Sequence, residues 1–259
     1  MSVLIVTVFQ SNLIWEDPPA NRKMFSEKID RLAEPTDLII LPEMFTTGFS
    51  MNARKLAETM DGESVQWMRR YAKKKKAMVM GSLIIEEDGQ FFNRLIAMRP
   101  DGSLSFYDKR HLFTLAGEHA HYRKGTRRLI LDYKGWKICP LICYDLRFPV
   151  WSRNTEDYDL LIYVANWPVK RSHHWKSLLR ARAIENQSYT IGVNRCGEDA
   201  GGYYYSGDTS VIDFGGNIHF QVAHTEAAFT TSLSLEKQTA FRKRLDFLPD
   251  RDNFEIKDE

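Results

Sequence analysis

The chain contains 259 residues, of which 43% are hydrophobic and 27% are charged, a composition typical of a globular protein with a sizeable core. Its 36 Lys and Arg residues against 34 Asp and Glu residues leave a net charge of +2, which argues against nucleic acid as a partner. No apolar run reaches the length of a membrane helix, no basic leader opens the chain, and three cysteines is an odd number for a disulfide-linked secreted protein. We therefore expect a cytoplasmic protein that makes no contact with a membrane.

Short apolar runs alternate with helical repeats in the first hundred residues. Strands are predicted at 2–9, 38–41, 77–85 and 91–98, and the turn residues Asp88 and Gly89 indicate that the last two form a hairpin. Apolar residues at helical spacing predict two helices, one with Phe25, Ile29 and Leu32 and one with Val65, Met68 and Ala72 preceded by Ser64 as its candidate cap.

The same alternation continues in the second half of the chain. Strands are predicted at 129–132, 137–142, 160–165 and 189–194, and a helix carries Trp175, Leu178, Leu179 and Arg182 on one face. This order favours an α/β fold with helices packed over sheet, and the strand-rich C-terminal third indicates mixed sheets. No linker, repeat or low-complexity tract interrupts the chain, so we expect residues 1–259 to form one domain.

The most informative segment is the apolar strand that runs into Cys143 and continues as polar residues and Pro149. A turn from strand to helix projects a side chain out of the sheet beside free backbone N–H groups, and a helix N-terminus lowers the pKa of a thiol. A free cysteine more often serves as a small buried hydrophobic residue, and we assign Cys139 to that role. The segment around Cys143 favours a nucleophile, while the role of Cys196 stays open.

Two further strand ends carry residues suited to acid–base chemistry. Glu43 follows the strand at 38–41 among apolar neighbours, where a desolvated carboxylate can act as a base near neutral pH. Lys109 follows another predicted strand end, although an isolated lysine is usually solvated surface. Because α/β proteins build their sites from loops at strand ends, these two residues and Cys143 are interpreted together.

Three segments resemble the signature segments of the nitrilase, or carbon–nitrogen hydrolase, superfamily. These are Leu41-Pro42-Glu43, the stretch 107–113 around Lys109 and the stretch 142–149 around Cys143, in the order that the family has them. The stretches 165–168, 180–187 and 205–210 are also similar to that family, so the resemblance spans essentially the whole chain.

The resemblance implies an α-β-β-α sandwich, in which two sheets pack face to face with helices outside. It implies that subunits pair through the helical layer, as a dimer or a larger homo-oligomer, and that no cofactor is needed. Glu43, Lys109 and Cys143 would form the catalytic triad, with Glu118 as an acid that orients Lys109. In the mechanism that follows, Glu43 is the base, Cys143 is the nucleophile, and Lys109 and the backbone N–H of Tyr144 hold the oxyanion.

Within the family, the segments around Cys143, Lys109 and Glu118 are most similar to the omega-amidase branch. That branch hydrolyses the terminal amide of small anionic 2-oxo acid amides such as 2-oxoglutaramate and 2-oxosuccinamate. A substrate carboxylate requires a cation in the pocket, for which Arg147 and Arg195 are candidates. Trp167 is a candidate for the pocket wall. For each of these three residues a purely structural role is the alternative.

Other functions remain open at this stage. The same triad could serve an N-carbamoyl amide hydrolase or an aliphatic amidase. His111, His119 and His121 could suggest a metallohydrolase, with His119 and His121 on one strand face, but their spacing fits no metal motif and we predict no metal. A non-catalytic interaction protein could use the same fold. Chemically competent residues at all three triad positions argue against that last alternative.

Overall fold

The structure is a computed structural model that describes residues 3–257, so the predicted strand residue Ser2 lies outside the described residues. The strands, numbered along the chain, are β1 (Val3–Gln10), β2 (Leu38–Ile40), β3 (Met78–Glu87), β4 (Gln90–Met98), β5 (Leu104–Asp108), β6 (Leu131–Tyr133), β7 (Trp136–Ile142), β8 (Leu160–Ala165), β9 (Tyr189–Asn194), β10 (Cys196–Glu198), β11 (Tyr204–Ile212), β12 (Ile218–Ala223) and β13 (Ala227–Ser234). The helices are α1 (Pro18–Asp30), α2 (Ala53–Leu56), α3 (Glu63–Lys75), α4 (Glu118–His121), α5 (Pro149–Ser152), α6 (Ser172–Asn186) and α7 (Leu235–Arg244).

The strands of residues 3–257 form two mixed sheets. The first has the order β13-β1-β2-β3-β4-β5, in which β1, β2 and β3 are parallel and the other pairs are antiparallel. The second has the order β10-β11-β9-β8-β7-β6, with β12 also paired to β11, and its central strands β7, β8 and β9 are parallel. The prediction of mixed sheets is therefore confirmed.

The largest hydrophobic core lies between the two sheets. In β2, Leu38 and Ile40 point into this core, whereas Ile39 packs in a separate cluster with residues of α1 and α3. This alternation follows from the two-residue period of a strand, which gives each strand one inward and one outward face. Residues on the inward faces of both sheets belong to this one core.

Helix α6 covers the outer face of the second sheet. Its Trp175 and Leu179 are fully buried, and a Cβ atom at Gly192 of β9 would lie only 2.4 Å from Leu179. Glycine at this position therefore allows the helix to approach the strand closely. With α1 and α3 on the opposite side, the predicted four-layer α-β-β-α sandwich is confirmed.

Several local predictions can be compared with the observed elements. The hairpin of β3 and β4 turns at Asp88 and Gly89, whose positive φ angles of 53° and 74° suit a tight hairpin turn. The prediction that Ser64 caps a helix is wrong, because α3 begins after Gly62 and the Ser64 hydroxyl donates to Glu58 instead. Within residues 3–257, no helix combines the length and the apolar character needed to cross a bilayer.

Candidate active site

The predicted triad residues lie where strands of the two sheets end side by side. Glu43 follows β2 and Lys109 follows β5, both in the first sheet. Cys143 follows β7, in the second sheet. Parallel strands end at the same edge of a sheet, and the face-to-face packing brings the two edges together. The structure therefore gathers residues that are far apart in sequence.

Lys109 is fully buried between two carboxylates. Its Nζ atom donates to Oε1 of Glu43 across 2.9 Å and lies 3.0 Å from each carboxylate oxygen of Glu118. All three side chains are inaccessible to solvent. An ammonium has three hydrogens, and the two oxygens of Glu118 can share one of them, which leaves one hydrogen for a further acceptor.

Glu43 is held by amide groups from both sheets. Its Oε1 atom also accepts from Nδ2 of Asn93, in β4, across 2.8 Å. Its Oε2 atom accepts from the backbone N–H of Asn166, at the end of β8, across 2.8 Å and from Nδ2 of Asn166 across 3.3 Å. A charged acceptor with this many donors has a fixed orientation in the folded protein.

Cys143 has a backbone conformation that few residues other than glycine adopt. Its φ angle is +44°, and it begins the 3₁₀ turn Cys143–Arg147 directly after β7. The predicted helix begins later and is short, because α5 spans only Pro149–Ser152. A sharp turn with positive φ at a potential nucleophile indicates a backbone held in place for function rather than for stability.

Asp145 holds this turn against the loop that contains Lys109. Its fully buried carboxylate accepts from the backbone N–H of Ile142 across 3.0 Å and from the hydroxyl of Tyr107 across 2.8 Å. The other oxygen accepts from the backbone N–H of His111 across 3.0 Å and lies 2.8 Å from Nδ1 of the same residue. One buried carboxylate thus fixes the position of Cys143 relative to Lys109.

The pKa of the Cys143 thiol lies well above its usual value. Burial is the main cause, the negative charge of Glu43 adds to it, and the positive charge of Lys109 acts in the opposite direction. The expectation of a lowered thiol pKa is therefore wrong, because burial and the charge of Glu43 outweigh the lowering effect of Lys109. The thiol keeps its proton at neutral pH, so attack requires a base beside it.

The pKa values of Lys109 and Glu118 are both raised. Burial by itself disfavours the charge of Lys109, but the carboxylates of Glu118 and Glu43 outweigh it and raise the pKa of the ammonium. The pKa of Glu118 is raised by burial and by the charge of Glu43, against the opposing effect of Lys109. Lys109 therefore stays protonated over the whole neutral range.

A cavity of about 400 Å³ opens onto Cys143. Its wall is rich in aromatic residues, which are Trp15, Phe49, Phe113, Tyr144, Trp167, Tyr203 and Tyr205. The polar residues in the wall are Asn166, Asp199, Arg147 and Arg171. Nζ of Lys109 lies 5.1 Å from the centroid of the Phe49 ring, so the buried ammonium is close to this wall.

Of the three predicted substrate-contact residues, two line the cavity and one does not. Arg147 and Trp167 both line the cavity, and the guanidinium carbon of Arg147 lies 4.7 Å from the centroid of the Trp167 ring. Trp167 also packs against Trp175 in the core. Its side chain therefore has both of the roles considered above, as part of the pocket wall and as part of the core.

Arg195 does not line the cavity. Its guanidinium is fully buried and donates to the main-chain oxygens of Leu13 and Glu198 and to the side chain of Asn12. Its prediction as a substrate contact is corrected on this ground, because those bonds tie it to the segment after β1.

Cys139, Cys196, His119 and His121 do not line the cavity. Cys139 is fully buried in the core with its pKa raised by burial to about 12, and Cys196 is buried with its pKa raised to about 11. His119 and His121 lie in the one-turn helix α4 and not on a strand. In residues 3–257, no group of three or more His, Cys, Asp or Glu side chains is placed to hold one metal ion.

Four residues of the site were not identified from the sequence. Asn166 follows a correctly predicted strand, so the strand-end argument applied to Glu43 would have found it. Asn93 is a buried amide between Phe92 and Arg94 in the strand predicted at 91–98, and Asp145 is an acid in the first turn after a strand; each pattern marks a polar group that needs partners. Arg171 had no signal in the sequence, because its position depends on the fold of the loop after β8.

Comparison with known proteins identifies relatives over the full length of the chain. A family model described as carbon–nitrogen hydrolase matches residues 5–243. Omega-amidase YafV from Yersinia enterocolitica is 46% identical over 98% of this chain and 99% of its own length. 2-Oxoglutaramate amidase from Bacillus subtilis (strain 168) is 31% identical over 95% of this chain and 96% of its own length. The crystal structure of XC1258 from Xanthomonas campestris, a CN-hydrolase superfamily protein with an arsenic adduct in its active site, is 43% identical and has a TM-score of 0.97, covering 99% of this chain and 100% of that one.

Proposed function

The chain belongs to the carbon–nitrogen hydrolase family, and from that premise we propose that it is an omega-amidase whose nucleophile is Cys143. As a member of this family, it hydrolyses carbon–nitrogen bonds of amides. The proposed substrates are small 2-oxo acid amides such as 2-oxoglutaramate and 2-oxosuccinamate, as the names of its relatives suggest for the first of these. The observation that carries the proposal is the buried ammonium of Lys109, held between Glu43 and Glu118 beside the Cys143 thiol.

The reaction begins with a proton transfer. Glu43 takes the proton of the Cys143 thiol, and the sulfur forms a bond to the amide carbon. The raised pKa of the thiol makes this transfer necessary, since little thiolate exists at neutral pH without a base. Of the four hydrogen bonds to the carboxylate of Glu43, the one from Nδ2 of Asn166 to Oε2 is the longest, at 3.3 Å. The lone pair of Oε2 that accepts this bond is therefore the easiest to free for the thiol proton.

The tetrahedral intermediate carries a negative oxygen that needs donors already in place. Lys109 supplies a full positive charge from a site inaccessible to bulk solvent, where an electrostatic contact is stronger than in water. The backbone N–H of Tyr144, in the turn that begins at Cys143, is the proposed second donor. The two carboxylates around Lys109 fix its position before the substrate arrives, so no reorganisation is needed during the reaction.

The second half of the reaction uses the same residues in reverse. Protonated Glu43 donates to the leaving nitrogen, the carbon–nitrogen bond breaks, and ammonia departs from a thioester on Cys143. Glu43 then takes a proton from water, whose oxygen attacks the thioester carbon. The carbon–sulfur bond breaks, and the proton returns from Glu43 to the thiolate. The products are the dicarboxylate and ammonia.

We further propose that residues 1–259 act as one domain in a cytoplasmic homo-oligomer. The proposed contact is the helical layer over the second sheet, where Val150 of α5 and Ile184 of α6 are apolar and exposed by 53% and 46%. Light scattering on the purified protein tests this part, and a monomer at all concentrations would refute it.

Ammonia release from a panel of amides tests the proposed activity. We expect turnover of 2-oxoglutaramate and 2-oxosuccinamate well above that of an aliphatic nitrile, and no turnover by Cys143→Ala. Circular dichroism of that variant shows whether the fold is retained. The buried Cys139→Ala variant is the matched control and should keep activity. Ammonia release by Cys143→Ala at the wild-type rate would overturn the proposal.

A further inference from the structure

Two arginines stand in the wall of the cavity without a carboxylate partner. Arg147 and Arg171 both line the cavity with Cys143. In residues 3–257, neither guanidinium has an Asp or Glu oxygen within 4.0 Å, whereas Arg128, Arg182 and Arg242 each have one. A half-buried cation without a counter-ion is unfavourable in the free protein. An anion that enters the cavity would supply the missing partner.

Aromatic rings and one histidine hold the two guanidinium groups in place. The guanidinium carbon of Arg147 lies over the Trp167 ring, and its Nη2 donates to Nδ1 of His174 across 3.2 Å. The guanidinium carbon of Arg171 lies 5.2 Å from the centroid of the Phe113 ring. A stacked ring positions a guanidinium without using its N–H donors, of which each arginine has five. Most donors of both groups therefore remain for a ligand.

The local backbone links the two cations to each other. The indole N–H of Trp167 donates to the main-chain oxygen of Arg171 across 2.8 Å, so the ring under Arg147 also fixes the turn that contains Arg171. The pKa of Arg147 is lowered, first by burial and then by the positive charge of Arg171. The two charges are thus close enough to repel each other, and an anion between them would relieve that repulsion.

The acidic residue in the same wall does not neutralise this pair. Oδ1 of Asp199 accepts from the backbone N–H groups of Gly201 and Tyr203, and its Oδ2 accepts from the hydroxyl of Tyr205. These bonds hold the carboxylate within its own loop. The two arginines therefore leave a positively charged region in a cavity that is otherwise lined mainly by aromatic and aliphatic residues.

We propose that Arg147 and Arg171 together bind the carboxylate at the end of the substrate opposite the scissile amide. This rests on the proposed function, because the amide carbon must then lie at Cys143. It assigns to Arg171 a role in selecting the anionic amides of the proposed function over neutral amides. Neutral amides of the same length can make the same contacts with the aromatic residues of the cavity, but they leave both guanidinium groups without a carboxylate partner.

Steady-state kinetics with a charged and an uncharged amide test this proposal. For Arg171→Ala we expect KM for 2-oxoglutaramate to rise roughly 10- to 100-fold, the value of one or two hydrogen bonds to a charged group. We expect Arg171→Lys to be intermediate, and kcat/KM for pentanamide to stay unchanged in both variants. Lys170→Ala removes the neighbouring exposed cation outside the cavity wall and is the matched control, with no change on either substrate.

Binding of the product separates this proposal from the proposed reaction. Calorimetric titration of the wild-type protein with 2-oxoglutarate, which carries the same carboxylate but no amide, should show binding that Arg171→Ala weakens by a similar factor. If the protein releases no ammonia from any amide but binds 2-oxoglutarate through Arg171, the reaction is refuted and the anion site stands. The anion site would be overturned if Arg171→Ala lost equal factors of kcat/KM on both amides. It would also be overturned if the substitution left the affinity for 2-oxoglutarate unchanged.

Discussion

The backbone N–H of Asn166 donates to Oε2 of Glu43 across 2.8 Å, although the two residues are 123 positions apart in the chain. Glu43 follows a strand of the first sheet and Asn166 follows a strand of the second, so this bond joins the two halves of the sandwich at the proposed base. The side chain of Asn166 repeats the connection, because its Nδ2 donates to the main-chain oxygen of Glu43 across 2.7 Å. The orientation of the base thus depends on how the sheets pack.

Asn166→Ala tests this connection, since it removes the amide donors and leaves the backbone N–H. We expect kcat for 2-oxoglutaramate to fall roughly tenfold or more, because a carboxylate that loses a hydrogen bond is less well oriented. The measurement is ammonia release under saturating substrate, with Asn217→Ala, in an exposed turn, as the control. An unchanged kcat would mean that the backbone bond alone positions Glu43.

Glu43→Gln should separate hydrolysis from the reactivity of the thiol. We expect hydrolysis to fall on the order of 10²- to 10⁴-fold, because the proposed base is lost. The charge of Glu43 raises the pKa of Cys143 and that of Lys109 lowers it, so the substitution should lower the thiol pKa.

Alkylation by iodoacetamide, followed by mass spectrometry across the neutral and alkaline range, measures that second effect. Cys143 of Glu43→Gln should react at a lower pH than in the wild type, whereas Glu63→Gln, at an exposed position, should change nothing. A shift of the alkylation profile to higher pH in Glu43→Gln would contradict the assigned electrostatics.

Glu118→Gln should change the pH profile of the enzyme. The charge of Glu118 is the largest influence that raises the pKa of Lys109, and burial lowers it. Without that charge the pKa of Lys109 falls, so the ammonium is lost at a lower pH as the pH rises. The alkaline limb of kcat/KM should therefore move to lower pH, and Glu118→Asp, which keeps the charge, should shift it less. An identical alkaline limb in Glu118→Gln would remove the proposed role of Glu118.

Asp145→Ala should reduce both stability and activity. The substitution leaves the buried donors of Ile142 and Tyr107, and the partly buried backbone N–H of His111, without this acceptor, and we expect a loss on the order of 3 kcal/mol in the free energy of unfolding. Urea unfolding measures this loss. Asp213→Ala removes a carboxylate that also accepts several bonds, but in an exposed turn, and should cost less. Equal losses in the free energy of unfolding of the two variants would show that the hydrogen bonds to Asp145 stabilise the fold no more than those in an exposed turn.

Much of the fold could be predicted because the local pattern is strong. The strands β8 and β9 have the predicted bounds, and the Asp88-Gly89 turn was correctly assigned, since apolar β-branched runs and turn residues act over a few positions. Element ends governed by caps were less predictable. Serine is a common helix cap, but α3 begins directly after Gly62, and the hydroxyl of Ser64 donates to Glu58 instead.

The sequence by itself identified Glu43, Lys109 and Cys143 as one candidate site, because each follows a strand end and lies in a segment that resembles a known family. Only the tertiary structure decided that Arg171 enters the cavity while Arg195 is tied to the segment after β1. It also decided the direction in which the Cys143 pKa is shifted. Burial and the carboxylate of Glu43, a hundred residues away in the chain, raise that pKa above its usual value. The physical reason is range: strand periodicity and turn conformation are set by neighbours in the chain, whereas burial, charge and hydrogen bonds between loops depend on residues that only folding brings together.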